Sequence, residues 1–133
     1  MYRTLIVPVA YEPGYNAARE IAVARALAAP GALIVLLHAM EPVPFYAIDY
    51  MPEGWRDELI AAIEEDLRSQ AEGLPGAKVA VVQDEPRHAI LNAAAETGAE
   101  CIVLATHRSD KALFGSTAAY IARHAPCAVH LIR

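Results

Sequence analysis

Cysteine, aromatic rings and positive charge are all scarce in this 133-residue chain, and each shortage removes a class of reading. The two cysteines, Cys101 and Cys127, sit in apolar, strand-like runs without neighbouring ligand residues. They are expected as buried reduced thiols, not as a disulfide or half a zinc site. Eleven Lys and Arg against sixteen Asp and Glu leave a net charge of -5. No basic stripe stands out, which sets nucleic acid and anionic membrane aside as general partners. Long hydrophobic runs are missing too. The stretch Met1-Tyr2-Arg3-Thr4-Leu5-Ile6-Val7-Pro8-Val9 is too short in apolar length for a signal-peptide core or a bilayer span, so cytoplasmic residence is expected. His88, His124 and His130 show no i, i+4 pairing, and no metal-ligand spacing occurs anywhere in the sequence. No Gly-x-Ser-x-Gly elbow is found, so Ser116 has no sequence-visible partner for nucleophilic catalysis.

What is present is apolar residues, 56% of the chain, with charged residues at 20%. That balance describes one compact domain with a real core, and the many alanines favour helices packed closely on a sheet. The runs alternate. Thr4–Val9 reads as a strand with Pro8 near its exit, and Tyr15–Ala28 as a helix stopped by Pro30-Gly31. Ala32–Ala39 is continuously apolar, the mark of a central parallel strand buried on both faces. Glu41–Gly54 holds Pro42, Pro44 and Pro52 with Phe45, Tyr46, Tyr50 and Met51, and reads with Trp55 as an extended aromatic loop unsuited to regular structure. That loop either covers a ligand or meets a partner, or it folds over its own domain. Trp55–Glu72 is a second helix and Lys78–Gln83 a strand. Pro86–Thr97 is a helix opened by Pro86 and stopped by Gly98. Cys101–Ala105 is a strand, Thr117–His124 a helix and Cys127–Ile132 the last strand. The order predicts an α/β fold: a single-domain, doubly wound, five-stranded and mostly parallel sheet with four helices on its two faces.

Chemistry concentrates between Cys101 and Ser116. A buried strand runs into the polar loop Thr106-His107-Arg108-Ser109-Asp110-Lys111, and then Gly115-Ser116-Thr117 leads into a helix. In an α/β sheet this is where anionic ligands dock, because Gly115 permits close backbone approach and the helix start offers free N–H groups. Ser116 and Thr117 add hydroxyl donors, or simply cap the helix. His107 and Arg108 are phosphate contacts or members of a solvated loop. Asp110 orients Arg108, takes part in magnesium binding, or caps a turn. His38, at the end of a buried strand, reads as a packed, hydrogen-bonded histidine rather than a catalyst.

Particular residues add a resemblance that covers essentially the whole chain. Tyr2 to Val9 is similar to the opening strand of the universal stress protein A superfamily, Leu36-Leu37-His38-Ala39 to its second strand, and Pro86–Leu91 to the start of its third helix. Gly115-Ser116 followed by Arg123-His124-Ala125-Pro126-Cys127 and an apolar last strand is the strongest part of the match. The resemblance implies an adenine nucleotide alpha hydrolase-like, Rossmann-like fold and a stress-response protein that acts by binding and association.

It also implies ATP, with magnesium accompanying it, as the ligand. Val9, Ala39, Leu104 and Ala105 would wall the adenine, while His107, Arg108, Gly115, Ser116 and Thr117 would face the phosphates. The chain departs from the family's Gly-x2-Gly-x9-Gly-Ser/Thr pattern. Ala105 and Arg108 stand at the first two glycine positions, and the interval to Gly115 is shorter. Ala10 replaces an aspartate that many members carry near the nucleotide. Thr106-His107-Arg108-Ser109-Asp110 is similar instead to a Ser/Thr-His-Arg-x-Asp run found in one branch. Arginine at position 108 brings a planar cation suited to phosphate. A nucleotide-free dimerising module with a vestigial groove is the first alternative, and weak ATP hydrolysis or phosphotransfer the second, with no general base to name for it. The resemblance further implies a homodimer through Cys127–Ile132, an apolar edge strand that pairing would satisfy. His130 would then sit near the two-fold axis, where facing imidazoles resist double protonation and acid loosens the pair.

Overall fold

The computed structural model describes residues 1–10, 16–106 and 115–133. In chain order the elements are β1 (Tyr2–Pro8), α1 (Ala18–Leu27), β2 (Ala28–Met40), α2 (Phe45–Ile48), α3 (Trp55–Gln70), β3 (Ala77–Gln83), α4 (Pro86–Thr97), β4 (Cys101–Ala105), α5 (Gly115–His124) and β5 (Ala128–Ile132). The strands form one sheet in the order β3-β2-β1-β4-β5. Every pairing in it is parallel. β1 is central, and β3 and β5 are the edges. The expected doubly wound α/β architecture is therefore what the chain adopts.

Strand periodicity explains why the central runs are continuously apolar. On β1, Leu5 and Val7 point into a core shared with Ile21 and Ala24 of α1 and Ile63 and Leu67 of α3. Ile6, between them, points into a second core with Ile90 and Ala94 of α4 and Ala118 and Ile121 of α5. β2 and β4 split in the same way, with Ile34, Leu36, Cys101 and Val103 on the first face and Val35, Leu37, Ile102 and Leu104 on the second. A strand buried on both faces has no room for a polar alternate residue.

Four local expectations need correction. The Glu41–Gly54 segment is not wholly irregular, because Phe45–Ile48 forms the single-turn helix α2, making five helices rather than four among the described residues. Pro44 starts this turn, where a proline forfeits no intrahelical bond, and its carbonyl accepts the Ala47 N–H at 2.9 Å. Pro30-Gly31 does not stop α1. That helix ends at Leu27, and the chain enters β2 at once with Ala28 extended. The Pro-Gly pair instead lies where the β1–β2 register slips from Tyr2↔Ala28 to Thr4↔Leu33. Cys127 precedes β5 and is only half-buried, so just Cys101 of the two free thiols is a core residue. Finally, α5 begins at Gly115, which puts Ser116 and Thr117 inside its first turn rather than at its cap.

Helix α4 follows its sequence signals. Pro86 occupies the first turn, and Gly98 closes the helix at φ 65° with its N–H on the Ala94 carbonyl. Two glycines separate conformational strain from crowding. Gly98 has open space around a would-be Cβ, whereas a Cβ on Gly76 (φ 78°) would overlap the Ala32 carbonyl oxygen. Gly98→Ala should cost about 1 kcal/mol, the left-handed penalty alone. Gly76→Ala should cost clearly more, roughly 2–3 kcal/mol, because backbone must also move. Urea denaturation of both variants measures the difference, and equal costs would contradict the crowding at Gly76.

Candidate functional site

The sheet opens between its two central strands. β1 and β4 pair only at Leu5↔Cys101 and Ile6↔Ile102. The Glu100 N–H reaches the Thr4 carbonyl at 2.8 Å, so Thr4, Ile6 and Pro8 are the β1 residues whose backbone groups face β4. Pro8 has no N–H to give, and the β4 side of the ladder ends there. Beyond it both strands lean outward. The Val9 N–H donates to the Leu37 carbonyl of β2 at 2.8 Å, and the Thr106 N–H donates to the Ile132 carbonyl of β5 at 2.9 Å. A crevice at the carboxyl ends of β1 and β4 results. It lies where the strand order reverses, the position at which open α/β sheets take ligands.

Residues singled out from sequence line this crevice unequally. Val9 and Leu104 lie at the ends of β1 and β4 but are almost wholly buried, at 3% and 6% exposure, and their side chains belong to the two cores. Ala10, Ala39 and Ala105 are half-buried at the strand ends. Ala39 contributes its backbone. The Leu37 carbonyl points toward β1, and the Met40 carbonyl, which accepts the Asp84 N–H at 2.9 Å, points toward β3. Alternation therefore turns the Ala39 N–H and C=O toward the β1 side, just past Val9. Gly115, Ser116 and Thr117 form the first turn of α5. That turn's N–H groups have no intrahelical acceptor and carry partial positive charge, and Ser116 is exposed beside them. His107, Arg108 and Asp110 lie outside the described residues.

His38 was legible as a hydrogen-bonded histidine, but not its partner. Its Nδ1 lies 2.7 Å from the Val9 carbonyl oxygen. A carbonyl only accepts, so Nδ1 carries the proton. Burial holds the imidazole below the ordinary histidine range, with the Val9 bond pulling the other way. The aromatic segment after β2 does not fold over its own domain at Phe45, Tyr46 and Tyr50, which are 84%, 70% and 87% exposed. A shallow cavity of about 420 Å³ lies between the end of α3 and the amino end of β3, lined by Arg68, Ala71, Leu74, Ala77, Lys78 and Val79. It is at the wrong end of the sheet for the crevice chemistry. Among the described residues, no three His, Cys, Asp or Glu side chains are grouped to hold a metal, and no helix is long and apolar enough to cross a membrane.

Because folding lowers the His38 pKa, the unfolded chain takes up a proton at this site before the folded chain does. Its contribution is complete above the unfolded value of 6.5 and is lost as pH falls below it. Urea titrations from pH 7 to pH 5 should show the wild type losing more stability than His38→Asn. Parallel loss in the two would overturn the assignment of a neutral, buried imidazole.

Comparison with known proteins agrees with this fold. The chain matches the model of the universal stress protein family over residues 1–133. A universal stress protein of Thermus aquaticus, from the QAH/OAS sulfhydrylase 3' region, is 34% identical over 143 aligned positions, covering all of both chains. The structure of the universal stress protein UspA from Lactobacillus plantarum superposes with a TM-score of 0.78 at 24% identity, covering 99% of this chain and 98% of that one. The universal stress protein from Archaeoglobus fulgidus in complex with dAMP gives 0.66 at 20% identity, with 99% and 98% covered.

Proposed function

The chain belongs to the universal stress protein family, and we propose that it binds an adenine nucleotide in the β1–β4 crevice, acting by binding and association rather than by turnover. The observation that carries this reading is the end of β1–β4 pairing at Ile6↔Ile102, at the end of the sheet from which the chain goes on to the first turn of α5 with its exposed Ser116. The Ala39 N–H and C=O, a donor and an acceptor side by side, suit the edge of a base. The α5 turn, with the Ser116 hydroxyl, suits phosphate oxygens. The Archaeoglobus fulgidus relative in complex with dAMP supports the adenine class. ATP, carrying its own magnesium, is the finer form of the proposal, and the cytoplasm the proposed compartment.

Titration calorimetry and thermal shift with dAMP, ATP and ATP-magnesium test it. Ligand at about 100 times its Kd should add ~2.7 kcal/mol, several degrees in Tm. Ser116→Glu separates binding from folding. A carboxylate in the first turn of α5 favours the helix yet repels phosphate, so nucleotide affinity should fall at least about tenfold with Tm unchanged or raised. No shift at millimolar nucleotide would decide for a nucleotide-free module.

The same proposal includes a homodimer through β5. β5 is a sheet edge, its outer backbone groups lack a neighbouring strand, and Leu131 on it is 36% exposed. Antiparallel pairing about a two-fold axis would satisfy that edge and bring the exposed His130 near its copy. Light scattering at neutral pH should give twice the chain mass for wild type and a monomer for Val129→Lys. A monomeric wild type refutes the dimer, and a mass that does not change on mild acidification removes the role given to His130.

A further inference from the structure

Beyond Ile6 and Ile102, the next residues of β1 and β4 are all apolar. Extending their register would set Val7 against Val103, Pro8 against Leu104 and Val9 against Ala105, apolar pairs that could close the crevice. Pro8 withholds one ladder bond but does not by itself pull the strands outward. Two side chains do. His38 Nδ1–H grips the Val9 carbonyl from β2 at 2.7 Å. Thr106 Oγ1 donates at 3.2 Å to the Ile132 carbonyl of β5, the oxygen that also accepts the Thr106 N–H. Each bond ties the first residue past a central strand to the next strand outward.

We propose that His38 and Thr106 are positioning residues that hold the two lips of the crevice apart and so admit the base of the ligand. The proposal rests on the nucleotide reading for its purpose, but not for its geometry. On the β2 side the clamp has a second effect. In a parallel ladder the Val9 carbonyl is the acceptor that the Ala39 N–H would meet next. The imidazole takes one of that oxygen's two acceptor positions and fixes the Val9 lip, and the Ala39 amide beside it faces an acceptor on the ligand. Neither residue touches the phosphates, and neither is asked to move a proton. The clamp needs only the proton on Nδ1, and no charge on the ring.

Four variants test the clamps. His38→Leu and Thr106→Val remove the donors while keeping bulk. His38→Asn keeps an N–H at the atom bonded to Cγ, where Nδ1 sits, and Thr106→Ser keeps the hydroxyl. Without nucleotide, amide hydrogen exchange followed by NMR should be about tenfold faster at Val9 in His38→Leu and at Thr106 in Thr106→Val, the worth of one such bond. The conservative variants should restore protection. Unchanged exchange in the two deletion variants overturns the clamps whether or not nucleotide binds.

With dAMP and ATP, each deletion should weaken binding about tenfold, and each conservative variant should return it to within about twofold of wild type. Ile63→Ala, in the core against α3 and away from the crevice, controls for stability: it should lower Tm and leave affinity alone. Affinity that tracks Tm across all five variants, or that is equal in the four clamp variants, overturns the positioning role. A wild type that binds no nucleotide while the exchange changes appear overturns the nucleotide reading and leaves the clamps standing.

Discussion

The structure depends on one constraint, the placement of β1 at the centre of a parallel sheet with a neighbour on either side that continues in a different direction along the chain. A parallel ladder must satisfy backbone groups on both flanks of a central strand. β1 does so with β2 from Tyr2↔Ala28, across the register slip at Arg3, to Pro8↔Leu37, but with β4 only around Leu5 and Ile6. The inequality makes the crevice. If β4 were held to β1 as far as β2 is, the carboxyl end of the sheet would be a closed surface, and the first turn of α5 would have no gap to face.

The two cores are what allow such a gap. Leu5, Ile6, Val7, Leu36, Cys101, Ile102, Val103, Leu67 and Ile121 are fully buried, and each large aliphatic among them stabilises the fold by roughly 1.5–3 kcal/mol relative to exposure. All but Leu67 of α3 and Ile121 of α5 sit on the central strands, covered by α1 and α3 on one face and α4 and α5 on the other. The strand ends are thus relieved of holding the sheet together, and their backbone groups are available to side-chain clamps and to a ligand. A break in the ladder costs about a hydrogen bond or two. The cores exceed that cost several times over.

Much of this was legible in the sequence, and the misses have physical causes. Continuous runs such as Leu33–Leu37 and Cys101–Ala105 announce two-faced burial directly, and Pro86 and Gly98 mark α4 because each has one conformational use there. Pro30-Gly31 misled because proline and glycine interrupt a strand as readily as they stop a helix, and a three-residue slip in register leaves no periodic trace. α2 was hidden by its prolines, since Pro44 is harmless at a helix start and damaging only inside one. The crevice itself was legible as a position in the topology, through the strand-loop-Gly-Ser run. Its clamps were not. His38 and Val9 are 29 residues apart and Thr106 and Ile132 are 26 apart, and single-sequence patterns do not report such pairings.

Charge supplies the last step. A chain of net charge -5 is a poor long-range attractor for a polyanionic ligand, so steering by the whole molecule works against phosphate. At physiological ionic strength that field decays over about 8 Å, so groups close to the crevice weigh more than the net charge. Among the described residues, what is local is dipolar: the N–H groups of the first turn of α5 with the Ser116 hydroxyl beside them, while the last-turn Arg123 and His124 sit at the opposite, negative end of that helix. Recognition built on backbone donors has a particular consequence. It is strong only when the donors are fixed in place, because a helix end gives each N–H a partial charge rather than a full one. On the nucleotide reading proposed above, recognition without a strong global attraction would depend on a crevice of fixed width, and the proposed His38 and Thr106 bonds would set that width by hydrogen bonding between neutral groups, which ionic strength scarcely weakens.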